Sequence, residues 1–246
     1  MLGPITVRHA VRPARRSLAT ARVCDLFGLS GDEPDHVVAD GLTLDVRPGD
    51  IVLVTGPSGS GKSSLLRELG RRLGAVDVNA LSLPEVPLVD ALPGPIDDRL
   101  ATLAGCGLGE ARLLLRTPAE LSDGQRHRFR IAYAMSLVIG HSSFGKTSTG
   151  AEGSAQMTND ESQMTILLDE FAAVLDRPLA RMLAFTLRKL AGRAGVGVLA
   201  ATTHDDLAAD LHPDLHVRCH GDGRFAAERA EGGVKKKWSA SPTTSG

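Results

Sequence analysis

The chain has 246 residues, a net charge of −1 and an apolar share of 42%, with aromatics at only 3%. These values fit one large domain or two small ones around an aliphatic core, and they exclude a strong whole-molecule attraction to nucleic acid or membrane. No apolar run approaches the ~18–20 residues of a membrane span, no signal-peptide h-region is present, and Cys24, Cys106 and Cys219 form no C-x-x-C pair. A cytoplasmic protein in a reducing compartment, without membrane insertion, is expected.

Residues 1–23 read as a basic arm, with Arg8, Arg12, Arg15, Arg16 and Arg22 and no acid. Such an arm either contacts a polyanion such as nucleic acid or is a solvated linker. Residues 25–55 read as β structure: Leu42–Val46 alternates, Arg47-Pro48-Gly49-Asp50 is a turn, and Ile51–Thr55 is a short apolar, β-branched run of the kind found in buried parallel strands. Phe27 precedes a polar loop at 30–35 and either stacks on a nucleobase or fills the core.

Gly56-Pro57-Ser58-Gly59-Ser60-Gly61-Lys62-Ser63-Ser64 follows that strand and fits G-x-x-x-x-G-K-[ST]. Leu65, Leu66, Leu69 and Leu73 then recur at helical spacing, closed by Gly74. Strand, glycine loop and helix are the context this phosphate-binding loop requires. Its glycines let backbone N–H groups curl around an anion, and the helix N-terminus adds positive potential. Lys62 is placed to reach β- and γ-phosphates, and the Ser63 hydroxyl to hold Mg²⁺.

Val78–Leu83 is a candidate second strand. Helical patterns follow around Asp97–Leu103 and Glu110–Leu115, the latter broken by Thr117-Pro118. Leu121-Ser122-Asp123-Gly124-Gln125 opens another helix, with Ser122 at its N-cap. Residues 141–163 are rich in Ser, Thr and Gly and read as a flexible insertion; their Gly145-Lys146-Thr147 lacks the strand and glycine spacing of a phosphate loop. Thr165–Leu168 is an apolar strand ending in Asp169 and Glu170. Behind a phosphate loop, such a strand end sets Asp169 to hold Mg²⁺ and Glu170 to orient or deprotonate a water. Asp176 caps a helix with Pro178 in its first turn. Val196–Ala201 is a buried strand running into Thr202-Thr203-His204, where a histidine either reaches a γ-phosphate or caps the next helix. His212, His216, Cys219 and His220 have metal-like spacing, although Pro213 and the strand-like pattern favour a final strand pair over zinc. Residues 228–246 read as a disordered tail.

Taken in order, phosphate loop, Leu-Ser-Asp-Gly-Gln, Asp-Glu strand end, Leu175-Asp176 and strand-Thr-His resemble an ABC-type ATPase over roughly residues 24–227. The tighter resemblance is to soluble ABC-type ATPases that occur fused to a predicted acetyltransferase domain, through Phe27-Gly28-Leu29, Leu121–Gln125 and Asp169-Glu170-Phe171 onward; no acetyltransferase domain is evident, so acetyl transfer is not carried over. The resemblance implies an α/β P-loop NTPase with a mainly parallel core sheet, an antiparallel β subdomain and a shortened helical subdomain at about 84–140. It implies ATP and Mg²⁺ as ligands, Glu170 as catalytic glutamate, His204 as switch histidine, and Phe27 near the adenine-stacking position. It also implies a head-to-tail homodimer, with Ser122, Gly124, Gln125 and Asp176 completing the site across subunits.

Three departures matter. Asp123 replaces a signature glycine, Phe171 stands where transporter ATPases commonly carry proline, and no glutamine occurs between Ser64 and Gln125. The last removes the family's usual link to a transmembrane partner and shifts the expectation towards a soluble ATPase acting on a partner enzyme or nucleic acid. The alternatives are a transporter's ATP-binding subunit and an ATP-dependent dimerisation switch with little hydrolysis. A small-molecule kinase would share only the phosphate loop.

Overall fold

The computed structural model describes residues 2–9, 17–29, 36–144, 164–221 and 223–230. Strand β1 (Leu2–His9) pairs antiparallel with β2 (His36–Leu44), bringing Ile5 opposite Leu42. The first part of the expected basic arm is therefore a strand. Ile5 is fully buried, while Arg8 stays at the surface beside Asp40, 3.7 Å away. Between them, α1 (Leu18–Phe27) is capped by Ser17 and closed by Gly28 in the left-handed region, so Asp25–Phe27 are helical and not β structure as expected. Residues 10–16 and the polar loop at 30–35 lie outside the described residues.

Strand β3 (Ile51–Thr55) leads into α2 (Lys62–Leu73), and β4 (Val76–Asp77) follows. The strand expected over Val78–Leu83 does not form. The Asp77 carboxylate accepts from the Asn79 N–H at 2.9 Å and turns Val78–Ala80 into a 3₁₀ turn, the usual local competition of an Asx side chain with a ladder. The helical part comprises α3 (Leu88–Ala91), α4 (Ile96–Gly105), α5 (Ala111–Leu114) and α6 (Asp123–Phe144). Thr117 and Glu120 cap each other at the proline break. Helix α6 continues through 144, into the segment expected as insertion; residues 145–163 lie outside the described residues.

Strand β5 (Thr165–Leu168), α7 (Arg177–Ala194), β6 (Gly197–Thr202), α8 (Ala208–Leu211), β7 (Leu215–Cys219) and β8 (Phe225–Arg229) complete the chain order. Glu228 and Arg229, expected within the tail, belong to β8 instead; residues 231–246 lie outside the described residues. The large sheet has the order β4-β5-β6-β3-β7-β8, parallel except for the β8 edge.

Alternation along these buried strands divides the core. Ile51, Leu53, Ile166, Leu168, Val198 and Ala200 join the cluster under α6 and α7. Val52, Val54, Leu167, Leu199, Val217 and Cys219 face Ile5 and the α2 leucines. The same alternation separates the metal-like set near the end. Cys219 joins the second cluster, while His216 lies on the other face and its Nε2 shares a 2.9 Å hydrogen bond with Thr55 Oγ1. Among the described residues no three potential ligand side chains gather for a metal ion.

A strand and a solvated arm differ measurably at Ile5. Ile5→Ala should destabilise the protein by about 2–4 kcal/mol in urea unfolding, the range for emptying a packed aliphatic site. A change within about 0.5 kcal/mol, typical of surface positions, would contradict the strand.

Candidate nucleotide site

The glycine loop joins the C-terminal end of β3, an inner strand between β6 and β7, to the N-terminus of α2. Two of its glycines are fixed by sterics. Gly56 has φ 145° and a Cβ there would collide with the Cys219 carbonyl oxygen; Gly61 has φ 89° and a Cβ would collide with Val38 Cγ1. Both positions need backbone where a side chain would stand. Ser60 Oγ is buried and has no hydrogen-bond partner among the described residues. Lys62 Nζ donates to the Pro57 carbonyl at 2.6 Å, folding the cation back over its own loop.

Strand β5 ends beside this loop, with β6 between it and β3. Ser63 Oγ donates to Asp169 Oδ1 at 2.8 Å, joining two segments 106 residues apart in sequence. The same oxygen accepts from the Glu170 N–H at 3.1 Å, and Arg67 approaches Asp169 Oδ2 at 3.3 Å. Asn79 donates through Nδ2 to the Asp169 carbonyl at 3.3 Å. Loop, Asp169, Glu170 and the end of β6 at Thr202-Thr203 line one cleft of about 440 Å³. It opens at the C-terminal edge of the parallel strands, the expected place for a ligand in such a sheet.

Other predicted residues stand elsewhere. Phe27 ends α1, is 73% exposed and does not line the cleft. The β subdomain instead supplies His9 and Val38 to the wall, and His9 Nε2 shares a 2.7 Å hydrogen bond with Ser64 Oγ. His204 is half-buried one residue beyond the lining Thr203, its N–H donating to Thr202 Oγ1 at 3.2 Å. Ser122 and Gln125 cap each other at the start of α6, with Ser122 N–H donating to Gln125 Oε1 at 3.0 Å. Gly124 packs beside Val174 and Leu175, and Asp176 accepts from the Leu179 N–H at 2.9 Å. None of Ser122, Gly124, Gln125 and Asp176 lines the cleft; Ser122, Gly124 and Leu175-Asp176 lie in one neighbourhood outside it.

His9, Asn79, Arg67 and Thr203 are the site residues that sequence reasoning missed. For Thr203 a signal existed, a polar pair at the end of an apolar strand. Cysteine chemistry contributes nothing here: burial pushes the Cys106 thiol up to about 12 and the Cys219 thiol up to about 11, so neither ionises near neutrality.

A phosphate loop on an inner strand, with a carboxylate pair at the end of β5 on the same sheet edge and β6 between the two strands, is the arrangement of a P-loop nucleotide-binding fold. No protein-family model matches the chain. The cytochrome c biogenesis ATP-binding export protein CcmA of Ruegeria pomeroyi is 31% identical over 210 residues, covering 78% of this chain and 88% of the relative. The lipoprotein-releasing system ATP-binding protein LolD of Novosphingobium aromaticivorans is 28% identical over 222 residues, 74% of this chain and 88% of the relative. The macrolide export ATP-binding/permease protein MacB of Nitrosomonas europaea is 29% identical over 238 residues, and the chain spans 32% of its length. Among solved structures, the post-hydrolysis dimer of the ATP-binding cassette MJ0796 bound to ADP and Pi has TM-score 0.58 at 18% identity, covering 94% of this chain and 100% of that one. The chain belongs to the ABC ATPase family. The expected α/β cassette fold, with its parallel core and antiparallel β subdomain, is the fold observed. Among the described residues no helix is long and apolar enough to cross a membrane.

The residues present fit a magnesium nucleotide. Ser63 Oγ and Asp169 Oδ1 are adjacent hard oxygen donors, Ser60 Oγ is a buried polar atom without a partner, and the glycine cradle is space that a Cβ would fill. Gly61→Ala should therefore weaken binding of fluorescent mant-ATP at least about tenfold, equivalent to roughly 1.4 kcal/mol. Gly74→Ala, also at positive φ but in open space behind α2, should leave that affinity unchanged and lower only stability. Equal affinity in wild type and Gly61→Ala would refute the cradle.

Proposed function

We propose that this protein hydrolyses ATP at composite sites of a head-to-tail dimer. The observation that carries the reading is the 2.8 Å contact of Ser63 with Asp169 at the cleft that Glu170 also lines, while Ser122 and Gly124 stay outside that cleft. A site complete in cis would have no use for the second group.

The glycine-loop amides and Lys62 neutralise the phosphates, Lys62 exchanging the Pro57 carbonyl for a phosphate oxygen. Ser63 and Asp169 hold Mg²⁺, which when bound supplies positive charge to the phosphate oxygens. Glu170 accepts the proton of the attacking water, and His204 contacts the γ-phosphate from the end of β6. Ser122 and the bare backbone at Gly124 close the site from the partner subunit, assisted by the α6 N-terminus. With little covalent work for the protein to do, placement of charge is the main catalytic contribution.

Asp123 supports a second reading, a switch that dimerises with ATP and turns over slowly. Its side chain is 93% exposed at the α6 N-terminus, held among the described residues only by Arg126 at 3.4 Å, and would stand near the partner's nucleotide. The names of the relatives support a third, in which the chain powers a membrane transporter; co-purification with a permease is its test. The basic N-terminal segment alone speaks for a nucleic-acid partner, and Arg8 within it is already paired with Asp40.

Glu170→Gln should lower turnover by about 10²–10⁴ while ATP stays bound; turnover at the wild-type rate would remove the base assignment. Mixing separates composite from self-contained sites. Lys62→Ala and Ser122→Arg proteins, each inactive, should regain ATPase activity when combined, because the mixed dimer holds one intact site. A mixture as inactive as its components would refute the composite arrangement.

A further inference from the structure

Resting on that reading of Glu170 as the base, we infer that Phe171 is the residue that aims it. Glu170 is exposed at the cleft, and among the described residues its carboxylate has no hydrogen bond or ion pair. The reach of that carboxylate is therefore governed first by the course of its backbone. That backbone is unusual. Glu170 has φ 56° and Ala172 has φ 63°, two left-handed non-glycine residues flanking a single position. Each such conformation is strained for a residue with a Cβ and persists only where neighbouring structure fixes it.

Phe171 is what fixes it. Its ring is fully buried in the large core cluster that also holds Leu183 and Leu187 of α7 and Leu207. Its N–H donates to the Ala201 carbonyl at 2.7 Å, tying the corner to β6 immediately before Thr202-Thr203-His204. A proline at this position could not make that bond. Two short turns, Ala173 N–H to the Glu170 carbonyl at 3.0 Å and Leu175 N–H to the Ala172 carbonyl at 3.2 Å, carry the corner on towards Asp176. The buried ring and the β6 hydrogen bond thus anchor a strained turn with the Glu170 carboxylate on one side and Leu175-Asp176 on the other. Phe171 acts through Glu170 and touches no substrate, so it is a positioning residue.

The test compares Phe171→Leu, Glu170→Gln and the double variant in the full chain. Phe171→Leu keeps the backbone donor and loosens the ring's anchorage. It should lower kcat at least about tenfold, since displacements near 1 Å of a reacting group cost up to a hundredfold, while KM for ATP stays within about threefold. The double variant should be no slower than Glu170→Gln alone, because a misaimed base that is already absent loses nothing further. Phe171→Met, closer in volume, should recover part of the lost kcat, and it serves as the test variant if Phe171→Leu does not fold. Wild-type kcat in Phe171→Leu, or a double variant slowed by the product of the single effects, would overturn the inference while Glu170→Gln still reports on the base. Wild-type turnover in Glu170→Gln would instead remove the base reading, and this inference with it.

Discussion

The Asp169 carboxylate is the point on which the site depends. One oxygen accepts from Ser63 of the glycine loop and from the Glu170 backbone, the other is approached by Arg67, and the residue's own carbonyl receives Asn79. Three stretches of chain thus meet there: the first turns of α2, the turn at Asn79 and the end of β5 itself. They meet because β5 and β3 run parallel in one sheet with β6 between them, so their C-terminal ends open on the same edge. An antiparallel β5 would deliver its acids to the opposite edge, some 15 Å away over a four-residue strand. Strand direction is therefore a constraint on the site here as well as on the fold.

The charges at this edge are arranged for exchange. Lys62 rests on a neutral carbonyl, while Asp169 is balanced by Arg67, whose side chain is 68% exposed. An exposed arginine contributes little to stability and yields readily to a stronger partner. Incoming phosphates would draw Lys62 off Pro57 at small loss, because a charge-assisted bond replaces a hydrogen bond to a neutral acceptor. Ser63 needs no such movement, since its hydroxyl already faces the carboxylate with which it would share a metal ion. The loop is thus preorganised where geometry is demanding and adjustable where a long side chain can follow the ligand.

What could be read from the sequence divides along the same lines. The glycine loop was legible because its requirement is local: Gly56 and Gly61 leave no room for a Cβ, and a fixed spacing records that. The β5 strand was legible because it is buried on both faces and ends abruptly in acids. Strand β1 was not, since its pattern is short and the surrounding arginines dominate composition; only pairing with β2 buries Ile5. The edge strand β4 has two residues, too few for periodicity, and Asp77 ends it through a hydrogen bond that propensity does not encode. Phe27 was assigned from its neighbours in sequence, whereas the residues that reach the cleft from this subdomain, His9 and Val38, are brought there by β1–β2 pairing.

The helical part and the cleft are also physically continuous. Arg130 of α6 donates to the carbonyls of Asn79 and Leu81 at 3.0 and 2.6 Å, and the Asn79 side chain reaches the Asp169 carbonyl. Arg128, one turn beyond Gly124 on the same helix, donates to the Gly107 carbonyl at 2.5 Å and ties α6 to the loop after α4. A displacement of Ser122 and Gly124 at the start of α6 therefore cannot leave Arg130 in place without bending a continuous helix. Bending is expensive at a segment that carries Phe129, Ile131 and Ala132 fully into the core. Force applied to the α6 N-terminus by a second subunit would travel down the helix to Arg130, through Asn79, and arrive at the strand end that holds Asp169 and Glu170. Helix α6 and the hydrogen bonds of Arg130 and Asn79 thus connect Ser122 and Gly124, outside the cleft, with Asp169 inside it.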